Sequence, residues 1–453
     1  MLNPSIFKAN DIRGVVTGDR PEWDAAGARA VGSAFVEVLG LAGREFVLGR
    51  DMRTSGLELA AAFTEGALAQ GASVVDIGLS STDQLWFASG LLGMPGVQLT
   101  ASHNPAAYNG VKFCLAEAAP IEPAMLKRIA ELAMGPAPTP VAQPGTRRER
   151  DVLADYAAHL HGLVSLDGMR RLTVVYDAGN GMAGHTAPAV LGPLDIETIG
   201  LFTELDGSFP NHPPNPLDPA NLVDAQAAVL EHGADVALVF DGDADRCFIV
   251  DERGEVVSPS LVTALIAQQE LKREPGGTIV INTITSRAVD RVVAEAGGKV
   301  VVSKVGHTSV KAEMAKHHAI FGGEHSAHYY FRDFWGADTG MLAGLHVLAL
   351  LGRSGGTMSE LVAGLPVFAN SGEINSTVAD TAGVQARLAA AFAGRGVQDT
   401  DDGLTITGDG WWVNVRASNT EPLLRLNVEA ADQAQLVALR DEALAIIEGD
   451  ADA

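Results

Sequence analysis

Three stretches of the chain repeat one order of elements: an apolar strand, a polar turn, a helix, and a second strand that ends at glycine. They span residues 45–78, 173–200 and 278–306 of the sequence. A strand, a helix and a strand in this order form a βαβ unit, whose two strands lie parallel in one sheet. Since each repeat contains such a unit, the sequence predicts an α/β fold built from similar domains.

A further apolar strand follows each repeat and stops at a polar loop. The three loops are TASHNP at 100–105, DGDADR at 241–246 and GGEHSAH at 322–328. Ligands of open α/β sheets bind beyond the carboxyl ends of the strands. Equivalent loops of equivalent domains are therefore expected to converge on one cleft.

The length and the composition along the chain indicate several domains. A chain of 453 residues is too long to fold around a single hydrophobic core, which suggests three or four domains. Residues 135–145 are rich in proline and glycine, as expected of a connection between the first two units. After about Phe368 the pattern changes to a hairpin at 404–416, a strand at 424–430 and an amphipathic helix at 432–448. We therefore predict three similar α/β domains with mixed sheets at 1–145, 146–252 and 253–368, followed by a smaller α+β C-terminal domain at 369–453.

Charge and apolar content exclude several classes of protein. Lysine and arginine total 32 against 56 aspartate and glutamate, and a net charge of -24 repels a polyanion, so no nucleic acid is expected. The N-terminal segment lacks a basic stretch before an apolar one, and no apolar run is long enough for a bilayer. We therefore expect no membrane association and a cytoplasmic location. Cys114 and Cys247 are too few for a disulfide framework or a zinc site and are expected to be buried.

The DGDADR loop places three carboxylates directly after a five-residue apolar strand. Alternate residues of an extended segment point the same way, so Asp241, Asp243 and Asp245 are able to face one hard cation. An EF-hand is the competing interpretation, with Glu252 at its twelfth position. Its sixth position requires glycine and is occupied by Arg246, and a strand precedes the loop. A metal site is favoured over both the EF-hand and a solvated acidic turn.

The serine of the TASHNP loop is the candidate nucleophile. Ser102 lies in TASHNPAAYNGVKF at 100–113, without the GxSxG elbow of a serine hydrolase. His103 and Lys112 are compatible with phosphoryl chemistry, whereas an ordinary polar serine between turns fits the same residues. Spacing alone leaves both interpretations open.

Two further loops carry groups that suit a phosphorylated sugar. The segment RASNTEPLLR offers Arg416, Ser418, Asn419, Thr420 and Arg425 as a phosphate cradle, or forms a hairpin turn rimmed by arginines. The GGEHSAH loop offers Glu324 and Ser326 to sugar hydroxyls, although its histidines also suit a plain polar loop.

One motif favours a different class of protein. Residues 179–184 match GxGxxG directly after a strand, which is typical of a dinucleotide-binding dehydrogenase. Glu197 and Glu204 fall outside the place where that fold needs an acidic residue. A tight turn between strand and helix is the favoured role of these glycines.

In their order along the chain, five segments resemble the α-D-phosphohexomutase superfamily, most closely its bacterial phosphomannomutase/phosphoglucomutase branch. They are KANDIRG at 8–14, the three loops above, and RASNTEP at 416–422. The resemblance spans Phe7 to Ala430. It implies four domains around a central active-site cleft, dependence on Mg²⁺, and hexose 1,6-bisphosphate as intermediate and activator. It also implies small sugar phosphates as substrates. We expect a monomer or homodimer, a choice that the sequence leaves open.

The resemblance assigns roles residue by residue. Ser102 is implied to be the phosphorylated serine and, with Asp241, Asp243 and Asp245, to bind magnesium. Glu324 and Ser326 are implied to hold the sugar. Arg13, Lys112 and His328 match catalytic positions, with Lys112 and His328 as the acid/base candidates. The other implied substrate contacts are His103, Arg246, His307, Arg416, Ser418, Asn419, Thr420 and Arg425.

The sequence departs from this pattern in two places, and the sugar is less constrained than the reaction. Asn10 replaces an aromatic residue common among relatives, and the strand ending at 281–283 lacks a lysine that some relatives use. The run 322–335 favours mannose slightly, and we expect glucose to react as well. The alternatives are a phosphoglucomutase or a phosphoglucosamine mutase. Two different classes also stay open: an NAD-dependent oxidoreductase and a non-catalytic sugar-phosphate-binding homologue.

Overall fold

The computed structural model describes residues 2–417 and 423–449, whose strands form four sheets. The first sheet contains β1 to β6: Ile12–Val15, Glu45–Arg50, Ser73–Leu79, Gly96–Leu99, Tyr108–Cys114 and Arg147–Glu149. It is flanked by α1 to α4: Ala25–Leu39, Gly56–Ala69, Thr82–Leu92 and Pro123–Ala133.

The second and third sheets follow along the chain. The second contains β7 to β11, with α5 to α7: Thr173–Asp177, Glu197–Leu201, Val236–Phe240, Cys247–Asp251, Val256–Val257, and Leu153–Leu163, Ala183–Leu191, Val223–His232. The third contains β12 to β16: Thr278–Asn282, Lys299–Ser303, Phe321–Gly323, Tyr329–Phe331 and Ala337–Asp338. Its helices α8 to α12 are Pro259–Arg273, Arg287–Glu295, His307–His317, Gly340–Ser354 and Met358–Ala363.

The repeat in the sequence is a repeat in strand order. The orders β3-β2-β4-β5, β8-β7-β9-β10 and β13-β12-β14-β15 are equivalent in the three sheets. In each set the first three strands are parallel and the fourth is antiparallel. The prediction of three similar α/β units with mixed sheets is confirmed.

The three polar loops occupy the same place in these units, at the turn from the third strand to the antiparallel fourth. Each turn contains a non-glycine residue with positive φ: Ser102 at 50°, Ala244 at 60° and Ala327 at 65°. The left-handed conformation costs a non-glycine residue roughly 1–2 kcal/mol. Such strain persists only where the surroundings hold the turn in place.

The C-terminal unit differs from the first three because its sheet is antiparallel throughout. Its strands β17 to β21 are Ala369–Ser376, Val397–Asp399, Leu404–Gly408, Trp411–Ala417 and Leu424–Ala430, in the order β17-β21-β20-β19-β18. Helices α13 and α14 are Thr381–Ala391 and Gln433–Glu448. The predicted smaller α+β unit is confirmed.

Two sheets extend past the predicted domain boundaries. The strand β6 lies beyond residue 145, yet it pairs in parallel with β3 of the first sheet. The strand β11 lies beyond residue 252, yet it pairs with β10 of the second sheet. Both are short edge strands, and neither carries an apolar alternation that would have assigned it to its sheet.

The apolar side chains of the described residues form three large clusters, one of which, including Phe35 and Phe63, lies within the first unit. Another cluster joins the second and third units and reaches Trp86 and Phe87 on α3 of the first. The C-terminal unit has a cluster of its own, which includes Leu426 and Leu436. Cys114 and Cys247 are free thiols and buried, as predicted. Among the described residues, no helix has the length and hydropathy needed to cross a membrane.

Candidate active site

The serine loop and the aspartate loop meet between the first and second units. Ser102 Oγ donates a hydrogen bond to Asp241 Oδ2 at 2.8 Å, across 139 residues of sequence. Ser102 is 3% exposed and Asp241 is fully buried. The structure therefore brings together the candidate nucleophile and the candidate metal loop.

The three aspartates form a compact carboxylate cluster. One oxygen from each of Asp241, Asp243 and Asp245 lies within 4.8 Å of the others. Lys112 Nζ donates to Asp243 Oδ2 at 2.7 Å and to Asp245 Oδ2 at 2.5 Å. Among the described residues, none donates a hydrogen bond to the buried Oδ1 atoms of Asp243 and Asp245.

Those two unpartnered oxygens fit a hard divalent cation. Buried carboxylate oxygens without hydrogen-bond partners carry a large desolvation cost unless a cation or donor is present. Mg²⁺ takes oxygen ligands and binds through carboxylates together with phosphate oxygens. The neighbouring strands β9 and β10 also exclude an EF-hand, which needs helices on both sides of its loop.

The pKa values of two carboxylates of the cluster are shifted in opposite directions. Burial raises the pKa of Asp241 to about 7, against the opposing charge of Arg246. Burial also acts on Asp243, but the charge and hydrogen bond of Lys112 hold its pKa below the ordinary value. Lys112 itself is buried, and the carboxylates of Asp243 and Asp245 raise its pKa. This lysine therefore stays a cation inside the cluster.

The GGEHSAH loop of the third unit contacts the aspartate cluster through His328, which also pairs with Arg246 of the second unit. The backbones of these two residues form an antiparallel bridge. Arg246 Nε donates to Asp241 Oδ2 at 2.9 Å, and His328 Nε2 lies 3.6 Å from Asp245 Oδ1. Ser326 Oγ lies 3.0 Å from His328 Nδ1. Loops of all three repeated units thus converge.

Glu324 is held by donors that the sequence did not indicate. It is 2% exposed and accepts from Asn282 Nδ2 at 2.9 Å, from Gly306 N at 3.2 Å and from Tyr330 Oη. Gly306 precedes His307 at the start of α10, so this contact fixes the helix beside the loop. Sugar binding by Glu324 remains a prediction.

Two further predicted residues, Arg13 and His103, lie at the serine turn, and a third, His307, lies at the start of α10. Arg13 Nη1 donates to Asn104 Oδ1 at 2.9 Å, and His103 Nδ1 lies 3.3 Å from Ser102 Oγ. Burial, together with the charge of Arg246, lowers the pKa of His103 well below its usual value. Burial, with Lys311 beside it, lowers the pKa of His307 to about 3. Both imidazoles are therefore neutral at pH 7.

The arginines of the predicted phosphate cradle, called the arginine clamp below, lie in the C-terminal unit. Arg416 and Arg425 are opposite each other on β20 and β21. Glu373 on β17 pairs with both, at 3.0 Å to Arg416 and 3.3 Å to Arg425. Burial lowers the pKa of Arg416, and Glu373 opposes that shift. The other predicted members of the clamp, Ser418, Asn419 and Thr420, lie outside the described residues.

Arg53 is a buried residue of this site that the sequence did not indicate. Its guanidinium donates to four carbonyl oxygens of the serine turn: those of Ser102, Asn104, Pro105 and Tyr108. Its Nε donates to Asp51 Oδ2 at 3.2 Å. These contacts hold the strained turn at Ser102, and they join residues about fifty positions apart, which no local pattern predicts.

The GxGxxG motif packs against the DGDADR loop. Met182 N donates to Gly242 O at 2.9 Å, and a Cβ at Gly181 would lie 2.6 Å from that same oxygen. Gly179 has a φ of 51°, as a tight turn requires. The glycines thus serve close backbone packing beside Asp241 and Asp243, in agreement with the favoured role.

Four family models match the chain in succession. They describe phosphoglucomutase/phosphomannomutase alpha/beta/alpha domains I, II and III and the C-terminal domain, at residues 4–149, 154–254, 258–368 and 373–446. A phosphomannomutase of Salmonella typhimurium is 39% identical, covering 98% of this chain and 99% of the relative. The chain belongs to the phosphoglucomutase/phosphomannomutase family. Its place in the α-D-phosphohexomutase superfamily, predicted from the five segments, is confirmed.

Further comparisons agree with this membership. The phosphohexose mutases of Xanthomonas campestris pv. campestris are 38% identical, over 96% of this chain and 97% of theirs. The crystal structure of a phosphoglucomutase/phosphomannomutase family protein from Burkholderia thailandensis has a TM-score of 0.91 and 34% identity, covering 99% of this chain and 98% of that one. The chain is an isomerase of the phosphohexomutase class, with three α/β domains and a C-terminal domain around a central cleft.

Proposed function

We propose that this phosphohexomutase interconverts mannose 1-phosphate and mannose 6-phosphate, with glucose phosphates as second substrates. The observation that carries the proposal is the hydrogen bond of 2.8 Å from Ser102 Oγ to Asp241 Oδ2, inside a buried carboxylate cluster. A hydroxyl beside a cation site and next to Lys112 suits phosphoryl transfer, in which positioning and charge neutralisation provide most of the catalysis.

The proposed reaction has two transfers at the same serine. Ser102 carries a phosphoryl group on Oγ, and the free hydroxyl of the hexose monophosphate attacks its phosphorus. The bond from phosphorus to Oγ breaks, and the proton of the attacking hydroxyl passes through a base of the cleft to Ser102 Oγ. A hexose 1,6-bisphosphate and a free serine hydroxyl form. After the bisphosphate turns end over end, its other phosphoryl group returns to Ser102 and leaves the isomeric monophosphate.

The residues of the cleft divide this work. Bound Mg²⁺, held by Asp241, Asp243 and Asp245, would neutralise charge on the phosphoryl group. Lys112 is held as a cation by two carboxylates, which favours charge stabilisation over proton acceptance for this residue. His328, 3.6 Å from Asp245, is the better candidate for moving the hydroxyl proton.

The second half of the cleft would hold the phosphate that does not react. Arg416 and Arg425 place two guanidinium groups side by side, a geometry suited to phosphate oxygens. A phosphate there would compete with Glu373 for both arginines. We propose that Glu324 and Ser326 bind hydroxyls of the sugar between the two halves.

The test uses the purified chain with mannose 1-phosphate, Mg²⁺ and a trace of hexose 1,6-bisphosphate. Mannose 6-phosphate should appear in the phosphorus NMR spectrum, and glucose 1-phosphate should also be converted. Parallel reactions with glucosamine 1-phosphate and N-acetylglucosamine 1-phosphate measure the preference. No turnover of either the mannose or the glucose ester would refute the proposal.

The two remaining alternatives make different predictions. A dinucleotide oxidoreductase would bind NAD tightly, whereas the packing of Gly181 against Gly242 disfavours such a site. A non-catalytic homologue would bind hexose phosphates without converting them. The cytoplasmic location and the monomer or homodimer stay predictions.

A further inference from the structure

The first turn of α3 reaches from the first unit to the aspartate loop of the second. The helix begins at Thr82 after the N-cap Ser81, and Thr82 is fully buried. Thr82 N donates to the carbonyl oxygen of Asp243 at 3.0 Å. Thr82 Oγ1 donates to the Asp243 carboxylate, at Oδ2, at 2.6 Å. One threonine therefore holds both the backbone and the side chain of an aspartate 161 residues away.

These contacts give the two carboxylate oxygens of Asp243 different hydrogen-bonding environments. Its Oδ2 accepts from Thr82 Oγ1, from Lys112 Nζ at 2.7 Å and from Thr100 Oγ1 at 3.3 Å. Its Oδ1 is buried, and no described residue donates to it. Three donors on one oxygen fix the rotation of the carboxylate, and the other oxygen is left without a hydrogen bond from any described residue.

The turn that carries Thr82 is itself anchored to the other two units. The neighbouring Asp83 accepts at Oδ2 from Tyr156 Oη of the second unit at 2.6 Å and from Thr339 Oγ1 of the third at 2.7 Å. One turn further along α3, Trp86 Nε1 donates to Asp338 Oδ1 at 3.1 Å. Because side chains of three units are hydrogen-bonded at this turn, the position of Thr82 is coupled to that of the DGDADR loop.

We propose that Thr82 is a positioning residue that orients Asp243 so that Oδ1 alone faces the divalent cation. The proposal rests on the proposed function of the aspartate cluster as the magnesium site. Residues that hydrogen-bond a metal ligand typically change metal affinity or activity by about 10–100-fold when they are removed.

The experiment measures metal binding directly. Mn²⁺ is titrated into the full-length chain and into Thr82→Val, with the free ion followed by electron paramagnetic resonance. The valine variant keeps the shape of threonine and loses only the hydroxyl donor. We expect Thr82→Val to bind Mn²⁺ about 10–100-fold more weakly, and Thr82→Ser to bind within about twofold of the parent.

The matched control is Thr186→Val on α6. Thr186 is also fully buried, and its hydroxyl donates to Met182 O at 3.3 Å within the same turn of chain. This control should leave Mn²⁺ affinity unchanged. If Thr82→Val does not fold, Thr82→Ala gives the same reading, because it also removes the donor and creates less crowding.

Two results would overturn the inference. One is a Thr82→Val or Thr82→Ala variant that melts at a lower temperature yet binds Mn²⁺ as the parent does, since that is a purely structural role. The other is a parent chain that binds no Mn²⁺, which would also remove the magnesium site from the proposed function. A parent that binds Mn²⁺ and converts mannose 1-phosphate, beside an unaffected Thr82→Val, refutes the inference alone.

Discussion

The two halves of the cleft are built in contrasting ways. The serine and aspartate half lies between units that share an apolar core, and its hydroxyl, carboxylates and cations are almost completely buried. The clamp half belongs to the C-terminal unit, which has a separate core. A cavity of about 580 Å³ lies between the third and C-terminal units, lined mostly by polar side chains such as Thr283, Lys304 and Asp402.

Hydrogen bonds cross the boundary between the third and C-terminal units. Asp402 Oδ2 accepts from Thr283 Oγ1 at 3.0 Å and from Val305 N at 2.9 Å. Glu429 Oε1 accepts from Arg287 N at 2.9 Å. Water can replace such bonds at small net cost, whereas separating an apolar core exposes its surface. The contrast indicates that the proposed chemistry and metal binding lie where units share an apolar core, and the proposed phosphate binding lies in the unit that is more easily displaced.

The largest expected difference between the halves is catalytic. Ser102→Ala removes the only proposed acceptor of the phosphoryl group, so kcat should fall by about 10⁴-fold or more while hexose phosphate binding persists. Steady-state kinetics and radiolabel transfer from hexose 1,6-bisphosphate measure both effects. Ser33→Ala, which removes a buried hydroxyl bonded to Gly66 O, is the control and should keep its activity. An active Ser102→Ala enzyme would contradict the covalent route.

The separate cores can be tested with a matched pair of leucines. Leu426 on β21 and Leu238 on β9 are both fully buried, so truncation of either to alanine should cost about 2–5 kcal/mol. Leu426→Ala should unfold the C-terminal unit in an earlier, separate calorimetric transition. Leu238→Ala should lower the transition shared by the first three units. A single transition that shifts equally in both variants would refute the division.

Loss of a clamp arginine should affect binding more than chemistry. Arg416→Gln removes a charge-assisted contact worth about 1.5–3 kcal/mol, so KM should rise about 10–100-fold with a smaller change in kcat. Arg395→Gln is the control, because Arg395 is exposed and pairs with Glu442 away from the cleft. If Arg416→Gln instead lowers kcat with KM unchanged, the two halves do not divide the work as proposed.

The smallest expected effect is the dependence of stability on pH. It should affect only the first three units, because all 12 histidines lie between residues 103 and 346. His346 on α11 stacks on Phe331 with ring centres 5.0 Å apart. Burial, with the charges of Arg273 and Arg353, lowers the pKa of His346 to about 3. The unfolded chain binds this proton near pH 6.5 and the folded chain does not. The contribution of His346 to the unfolding free energy should therefore fall as pH decreases from about 6.5, by up to about 2 kcal/mol at pH 5.

Calorimetry between pH 5 and pH 7 checks this expectation in the transition of the first three units. The slope of stability against pH should become flatter in His346→Gln, whatever its absolute stability. His232→Gln, a change at an exposed histidine on α7, is the control. The carboxylate of Glu270 lies 3.9 Å from His346, but this carboxylate already forms an ion pair of 3.0 Å with Arg273. An unchanged slope in His346→Gln would contradict the assignment.

Local patterns in the sequence were sufficient for the architecture and the acidic loop. The βαβ repeat, the C-terminal hairpin and the buried cysteines follow from hydrophobic periodicity and composition, which need only neighbouring residues. The alternation of Asp241, Asp243 and Asp245 likewise lies within one extended segment. Their roles and those of the other predicted site residues stay predictions.

Residues that are distant in sequence came together only through tertiary packing, within the units and between them. Lys112 between two aspartates, Glu373 between two arginines, Arg53 under the serine turn and Thr82 on Asp243 each bridge about 40 to 160 residues of chain. The short edge strand β6 likewise pairs with β3, about 70 residues earlier in the chain. Periodicity reports which face of an element is buried, but the partner of a buried polar group depends on how distant strands, loops and units pack together.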